Sequence, residues 1–245
     1  MSYFLISFLT FLCAYTLNIL YVTVFYHRAF AHRAITLHPL LKTVVVHTGN
    51  WVTGLDPKAW VCMHRLHHEY SDTPKDPHSP VTNGIWKIFS LQLYSYKRVI
   101  LGLQLQKPYY TSMVEDIDFP VNPLNRMRLW FLPYLLHFAI AIAIALSFHA
   151  WFLAACYWLG MMSHPLQGWM VNALAHRFGY RNFATSDNSR NNTLVAWLVF
   201  GEGYQNNHHY NPGSAKFSVK PLELDLGFGI CLILSRLGLV KLDGD

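Results

Sequence analysis

Residues 1–26 and 129–176 contain no Asp, Glu, Lys or Arg, and this gap pattern constrains the fold more than any motif does. A helix needs about 20 apolar residues to cross roughly 30 Å of hydrocarbon. The first stretch therefore has room for one crossing (residues 3–26). The second has room for two (129–147 and 150–171), with Ser147-Phe148-His149 as the turn. Composition agrees, since 53% of the 245 residues are hydrophobic and 13% are charged, against about 25% charged in an ordinary soluble domain. The mean hydropathy is +0.20. No basic segment or small-residue cleavage site of a secretory signal accompanies the first apolar run, so it is expected to stay as a membrane helix.

Every Lys and Arg lies between Arg28 and Arg128 or after His176. The positive-inside rule places both regions in the cytoplasm. Met1 and the 147–149 turn are then expected outside, with Lys97 and Asp245 inside. Residues 34–56 are apolar but interrupted by His38, Pro39, Lys42, His47 and Gly49, and read as an interfacial or re-entrant helix. Residues 57–128 and 172–245 are polar enough to form a cytoplasmic cap, with a surface helix around Ile85, Ile88, Phe89 and Leu93. An amphipathic helix is expected over 221–240. No linker or repeat divides the chain, so the expectation is one all-α integral membrane domain over 1–245.

The net charge is +6, but no basic run interleaved with aromatics appears, which argues against nucleic acid. Anionic lipid or an acidic protein partner fits better. The four cysteines are scattered and read as buried thiols, not as a disulfide framework or zinc knuckle.

Histidine is unusually abundant, with 14 against 13 acids, which disfavours a Glu-x-x-His carboxylate bundle. His64, His67 and His68 stand at i, i+3 and i+4, so on a helix their rings leave from one side. Gln205, His208 and His209 repeat the spacing. His27 and His32 are five apart, which is about 140° around a regular helix. They can serve one site only if the helix breaks, or else they serve two metals between them. His176 lies at the inner end of the last apolar stretch, with Asn172 one turn earlier. Neutral imidazole is the commonest nitrogen ligand for a protein metal. Eight such rings exceed what one ion takes, so two metals are expected.

His27-Arg28-Ala29-Phe30-Ala31-His32, His64-Arg65-Leu66-His67-His68 and Gly201-Glu202-Gly203-Tyr204-Gln205-Asn206-Asn207-His208-His209 resemble the three histidine boxes of membrane fatty acid desaturases. The order is most similar to the acyl-CoA Δ9 (stearoyl-CoA type) branch, as are Asp76-Pro77-His78 and Asn172-Ala173-Leu174-Ala175-His176. The resemblance implies a di-iron centre, O2 as oxidant and two electrons from an external donor of ferredoxin or cytochrome b5 type. The product it implies is a cis double bond, at Δ9, in a long saturated acyl chain carried by CoA, acyl carrier protein or a glycerolipid. It carries His27, His32, His64, His67, His68, His176, His208 and His209 over as iron ligands, and Asn172 as a water-mediated one. Two features depart from that branch: Gln205 stands where it has histidine, as in the Gln-x-x-His-His of front-end desaturases, and one span, not two, precedes the first box.

An unactivated methylene demands a redox-active metal that zinc cannot replace, and apolar walls that exclude water. Trp51, Trp60, Trp86, Trp169 and Trp197 are candidate tunnel walls. Lys97, Arg98, Lys107, Arg126 and Arg128 could receive a phosphorylated head group or an acidic electron-transfer protein. The rival readings are a di-iron membrane hydroxylase or ketolase, separated by its oxygenated product, and a metal carrier, which would line its spans with acids and histidines. The short chain leans toward a bacterial inner membrane, with the endoplasmic reticulum as the alternative.

Overall fold

The structure, a computed structural model, describes residues 2–243; Met1 and Asp245, whose sides the charge pattern assigns, lie outside them. The first helix, α1 (Tyr3–Leu20), starts where Ser2 Oγ accepts the Leu5 N–H. It continues without interruption into a π-helical segment, Tyr21–Ala31. The combined 29-residue rod is, among the described residues, the one helix long and apolar enough to cross a membrane.

A short strand β1 (Ile35–Leu37) follows, then α2 (Pro39–Thr53), which ends at Gly54 in a left-handed conformation (φ 76°). At about 1.5 Å per residue α2 is roughly 22 Å long, too short to cross. Asp56 caps α3 (Pro57–Tyr70) by accepting the Ala59 N–H at 2.9 Å. Then come α4 (Pro80–Asn83), α5 (Ile88–Gln104), α6 (Pro108–Thr111) and α7 (Pro123–Arg126). The apolar hairpin is α8 (Leu132–Phe148) and α9 (Trp151–Met161), turned at His149 (φ 49°).

The crossing expected over 150–171 is not one helix. It stops at Met161 and restarts as α10 (His164–Trp169), followed by a second π-helical segment, Met170–Leu174. Pro165 sits in the first turn of α10, where its missing N–H costs nothing, but it cannot continue α9. The remaining helices are α11 (Thr193–Leu198), α12 (Gln205–Tyr210) and α13 (Leu226–Arg236). Strand β2 (Val240–Leu242) pairs antiparallel with β1, Ile35 opposite Leu242. The all-α expectation thus gains a two-stranded ribbon, and the tail helix is shorter than expected because its end folds back as a strand.

The outer part of the rod and the hairpin expose apolar side chains, with Phe4 71% and Phe148 74% accessible. Contiguous apolar exposure of this kind suits a lipid-facing surface and not a water-facing one. The helices are held by small residues and one amide. A Cβ on Gly160 would lie 2.7 Å from Ala14 Cβ and 2.8 Å from the Phe11 carbonyl, so α9 packs against α1 only with glycine there. Asn18 Nδ2 donates to the Val52 and Met161 carbonyls at 3.1 and 2.7 Å, tying α1 to α2 and α9. The π segment, by contrast, is wholly buried. It packs with α3, α5 and β1 around Val24, Tyr26, Val61, Cys62 and Val99.

Candidate metal centre

The π segment settles how His27 and His32 meet. His32 N–H donates to the His27 carbonyl at 3.1 Å, an i→i+5 bond, and that winding brings residue i+5 back over residue i. Their ring centroids are 4.9 Å apart. The helix neither breaks nor divides the pair between two sites.

Neighbouring residues on an α-helix point about 100° apart, and this splits both His-His pairs. His64 and His68 of α3 and His208 of α12 join His27 and His32 in a five-ring group whose ligand atoms all lie within 4.8 Å of one another. Within it His27 Nε2 and His208 Nε2 are 3.0 Å apart, His32 Nε2 and His64 Nε2 2.7 Å, and His68 Nε2 and His208 Nε2 3.0 Å. His67 and His209 turn the other way and meet His176 in a three-ring group within the same limit.

Sequence reasoning missed the carboxylates behind these rings. His67 Nδ1 donates to Asp76 at 3.0 Å, His176 Nδ1 to Asp72 at 3.2 Å, His209 Nδ1 to Asp187 at 2.5 Å and His27 Nδ1 to Glu202 at 2.6 Å. Each carboxylate fixes ring orientation and tautomer. The opposite nitrogens, His67 Nε2, His176 Nε2 and His209 Nε2, are buried without a partner. Bare, convergent and buried lone pairs are what a cation requires, so the three-ring group fits a metal ion, and the five-ring group, whose nitrogens crowd together at 2.7–3.0 Å, offers a second set of donors. Asp76 and Glu202 were visible beside the boxes. Asp187 lay in a polar loop with no signal of its own.

A metal takes the neutral imidazole, and every shifted ring of the two groups but His67 is moved that way. Burial, reinforced by neighbouring imidazoles, pushes His32, His64, His68 and His208 well below the ordinary imidazole range. Burial takes His209 down to about 4 and His78 to about 3. Burial works to raise the Glu202, Asp76 and Asp187 carboxyls, but His27 with Arg28, His67, and His209 respectively outweigh it and hold them low. Burial would also lower His67, but Asp76 outweighs it and raises the ring. Arg28 is locked inside by Glu202 at 3.0 Å, Asp225 at 2.9 Å and the Phe217 ring.

A cleft runs beside His27 and His64, lined by Ile19, Val22, Leu55, Met63 and Val171 among others. Trp60 lines it and stacks on His64 (4.9 Å, 12°). The other four tryptophans are not among its lining residues. Trp86 is 81% exposed and stacks on Trp169 at 5.4 Å, Trp169 Nε1 donates to the Ile85 carbonyl, and Trp197 is exposed on the short helix α11. The Trp51 carbonyl is engaged by His137 at 2.8 Å. Asn172 and Gln205 both line the cleft, and Gln205 Nε2 donates to the Glu202 carbonyl at 2.7 Å. His78 and His164, outside the boxes, line it too.

Residues 3–218 match the family model described as fatty acid desaturase. Relatives include an acyl-CoA 5-desaturase of Anemone leveillei, 30% identical over 89% of this chain and 65% of its own length. A hex-5-enoyl-[acyl-carrier protein] acetylenase of Moorena producens is 30% identical over 92% of this chain and 73% of its own. Delta-9 acyl-lipid desaturase 2 of Arabidopsis thaliana is 32% identical over 92% and 70%. The chain thus spans about two thirds of the length of these relatives. With the family model matched across all three histidine boxes, this chain belongs to the fatty acid desaturase family.

Proposed function

We propose that the chain is an O2-dependent acyl desaturase that removes two hydrogens from a long saturated acyl chain to leave a cis double bond. In this reading His27, His32, His64, His68 and His208 hold one iron, and His67, His176 and His209 hold the other. The observation that carries it is the three-ring group, where each Nδ1 is tied to a carboxylate and each Nε2 is buried and unpartnered. Iron so held would supply O2 activation strong enough for an unactivated methylene, and the balance closes as O2, two electrons and two protons, with the two substrate hydrogens, giving two waters.

The protein's own part is positioning and exclusion. Trp60 packs flat against His64, and the apolar wall of Ile19, Val22, Leu55, Met63 and Val171 admits a hydrocarbon chain while keeping bulk water out. Gln205 and Asn172 present amides along the same wall, suited to holding a water or an oxygen species by hydrogen bonds. Lys97, Arg98, Lys107, Arg126 and Arg128 are all exposed, available to an acidic electron-transfer protein or a phosphorylated head group. In this reading the apolar rod and hairpin sit in the membrane and the histidine groups at its cytoplasmic edge, supported by the Lys and Arg placement.

Relatives are named for Δ5, Δ9 and acetylenic products and for CoA, acyl-carrier-protein and lipid carriers. In this reading the cleft sets the bond position, and Δ9 is the position to test. The experiment is expression in a host lacking unsaturated fatty acids, with lipid analysis by gas chromatography–mass spectrometry and iron analysis of the purified protein. A new monoene and two irons per chain are expected. An oxygenated product would make the chain a hydroxylase, and one metal per chain would reject the two-iron assignment.

A further inference from the structure

The cleft is apolar beside the histidines, but its wall changes character where α5 meets α10. Gln92 Nε2 donates to the Pro165 carbonyl at 2.6 Å, which leaves Oε1 as the free end of that amide. A Cβ built on Gly168 would lie 2.8 Å from Gln92 Oε1 and 3.8 Å from His164 Nε2. Gln92 Oε1 therefore packs closely against Gly168, where a side chain has no room, and Gln92, His164, Gln167 and Gly168 together line this end of the cleft. Gln167, next along α10, is 2% exposed. Its Nε2 donates to Ser163 Oγ at 2.7 Å, and Ser163 passes its own proton to the Gly160 carbonyl at 2.7 Å. That chain fixes the amide orientation and leaves Gln167 Oε1 buried without a partner, as is His164 Nδ1 on a ring only 8% exposed. Buried polar atoms left unpaired are costly and call for an explanation.

Resting on the reading of this cleft as the acyl site, we infer that the cradle over Gly168, formed by Gln92, His164 and Gln167, binds a hydroxyl group carried on the acyl chain. Two amide oxygens need a proton donor, and the imidazole can give or take one. A hydroxyl offers both functions, sending its one O–H to one of the two amide oxygens and accepting from the ring. A carboxylate or phosphate brings no proton to the amide oxygens. A bare methylene leaves every polar atom unsatisfied. The substrate class is thus a hydroxylated long-chain acyl group.

The test uses the full iron-loaded chain and a series of 18-carbon saturated acyl groups, each with one hydroxyl stepped along the chain, as CoA thioesters and as glycerolipids. Each competes with the labelled unsubstituted chain, in whichever carrier that chain binds. One hydroxyl position is expected to bind at least about tenfold tighter than the plain chain, since a site built to hydrogen-bond a hydroxyl discriminates strongly against its absence. In Gln167→Leu and in Gly168→Ala, whose methyl displaces the Gln92 amide, that preference should fall to within about twofold while the plain chain still binds. No preference at any position would overturn the inference, and is the result that a water trapped in the cradle would give. Desaturation of the plain chain without such a preference leaves the acyl reading standing and removes this inference alone. Binding of no acyl chain, plain or hydroxylated, overturns both.

Discussion

The two histidine groups are arranged for a cation by different means. The five-ring group relies on number, with rings from the π segment, α3 and α12 crowded at 2.7–3.0 Å nitrogen separations. Among the described residues only His27 of these five has a carboxylate behind it. The three-ring group relies on orientation, because Asp76, Asp72 and Asp187 each fix one ring. Three rings would also leave coordination positions free on a bound metal, as catalytic metal sites do. One group is redundant and the other is aimed, so equal damage should have unequal consequences.

The largest contrast is expected from single-ring removal. His176→Ala, and equally His67→Ala or His209→Ala, should bring iron from two to one per chain and desaturation to background. His64→Ala leaves four rings and should retain more iron, although displacing Trp60 lowers turnover; His68→Ala should likewise keep more iron than His176→Ala but lose desaturation. Metal analysis of the purified variants checks this. Equal iron loss in His64→Ala and His176→Ala would end the distinction between number and orientation.

Changing the carboxylates sharpens the same point. Asp187→Asn and Asp76→Asn keep size and lose charge, and should weaken metal affinity in the three-ring group by about 10–100-fold. A chelator competition resolves that loss from the five-ring group, which should be unaffected.

These carboxyls also set a pH dependence. Asp76 and Asp187 are held below their unfolded value of about 3.9. A depressed folded pKa gives stability that is present in full above the unfolded value and lost as pH falls through the folded one. In thermal melts of metal-free protein, wild type should exceed Asp187→Asn above about pH 4, and the two should converge in stronger acid. A gap that instead opened as pH fell would contradict the burial and pairing described for Asp187.

Gln205 should have a smaller effect. Its Nε2 is committed to the Glu202 carbonyl, so Gln205→Ala should keep both irons and lose part of its activity, within about 10–100-fold. Loss of one iron in that variant would make the amide a direct ligand. The smallest effects belong to histidines outside both groups. His149 sits in an exposed turn, and His149→Ala should keep full iron and activity. His137 bridges Tyr157 Oη and the Trp51 carbonyl at 2.7 and 2.8 Å. His137→Ala should therefore keep its iron but lose about 1–3 kcal/mol of stability, read as a lower midpoint in thermal unfolding.

The histidine clusters and the helical class were legible in the sequence because both are local. His64, His67 and His68 announce a ligand-bearing helix by spacing alone, and the charge-free stretches announce apolar helices by length. Which ring serves which ion was not legible, since that depends on where α3, α12 and the rod meet. His67 and His68 are adjacent in the chain yet face different groups, and no spacing rule says which goes where. The His27–His32 pair looked mismatched because a regular helix was assumed. Burial of Tyr21–Ala31 in the core accompanies a π winding, and only that winding aligns the two rings. The carboxylates Asp72 and Asp187 reach His176 and His209 only after the loops that carry them fold back. The strand pairing of 35–37 with 240–242 likewise needs the two ends of the chain to meet. Residue type and periodicity determined which side chains this protein has to offer a ligand and where its apolar faces lie. Tertiary contact, through register, winding and long-range pairing, decided how the eight rings divide and which acids orient them.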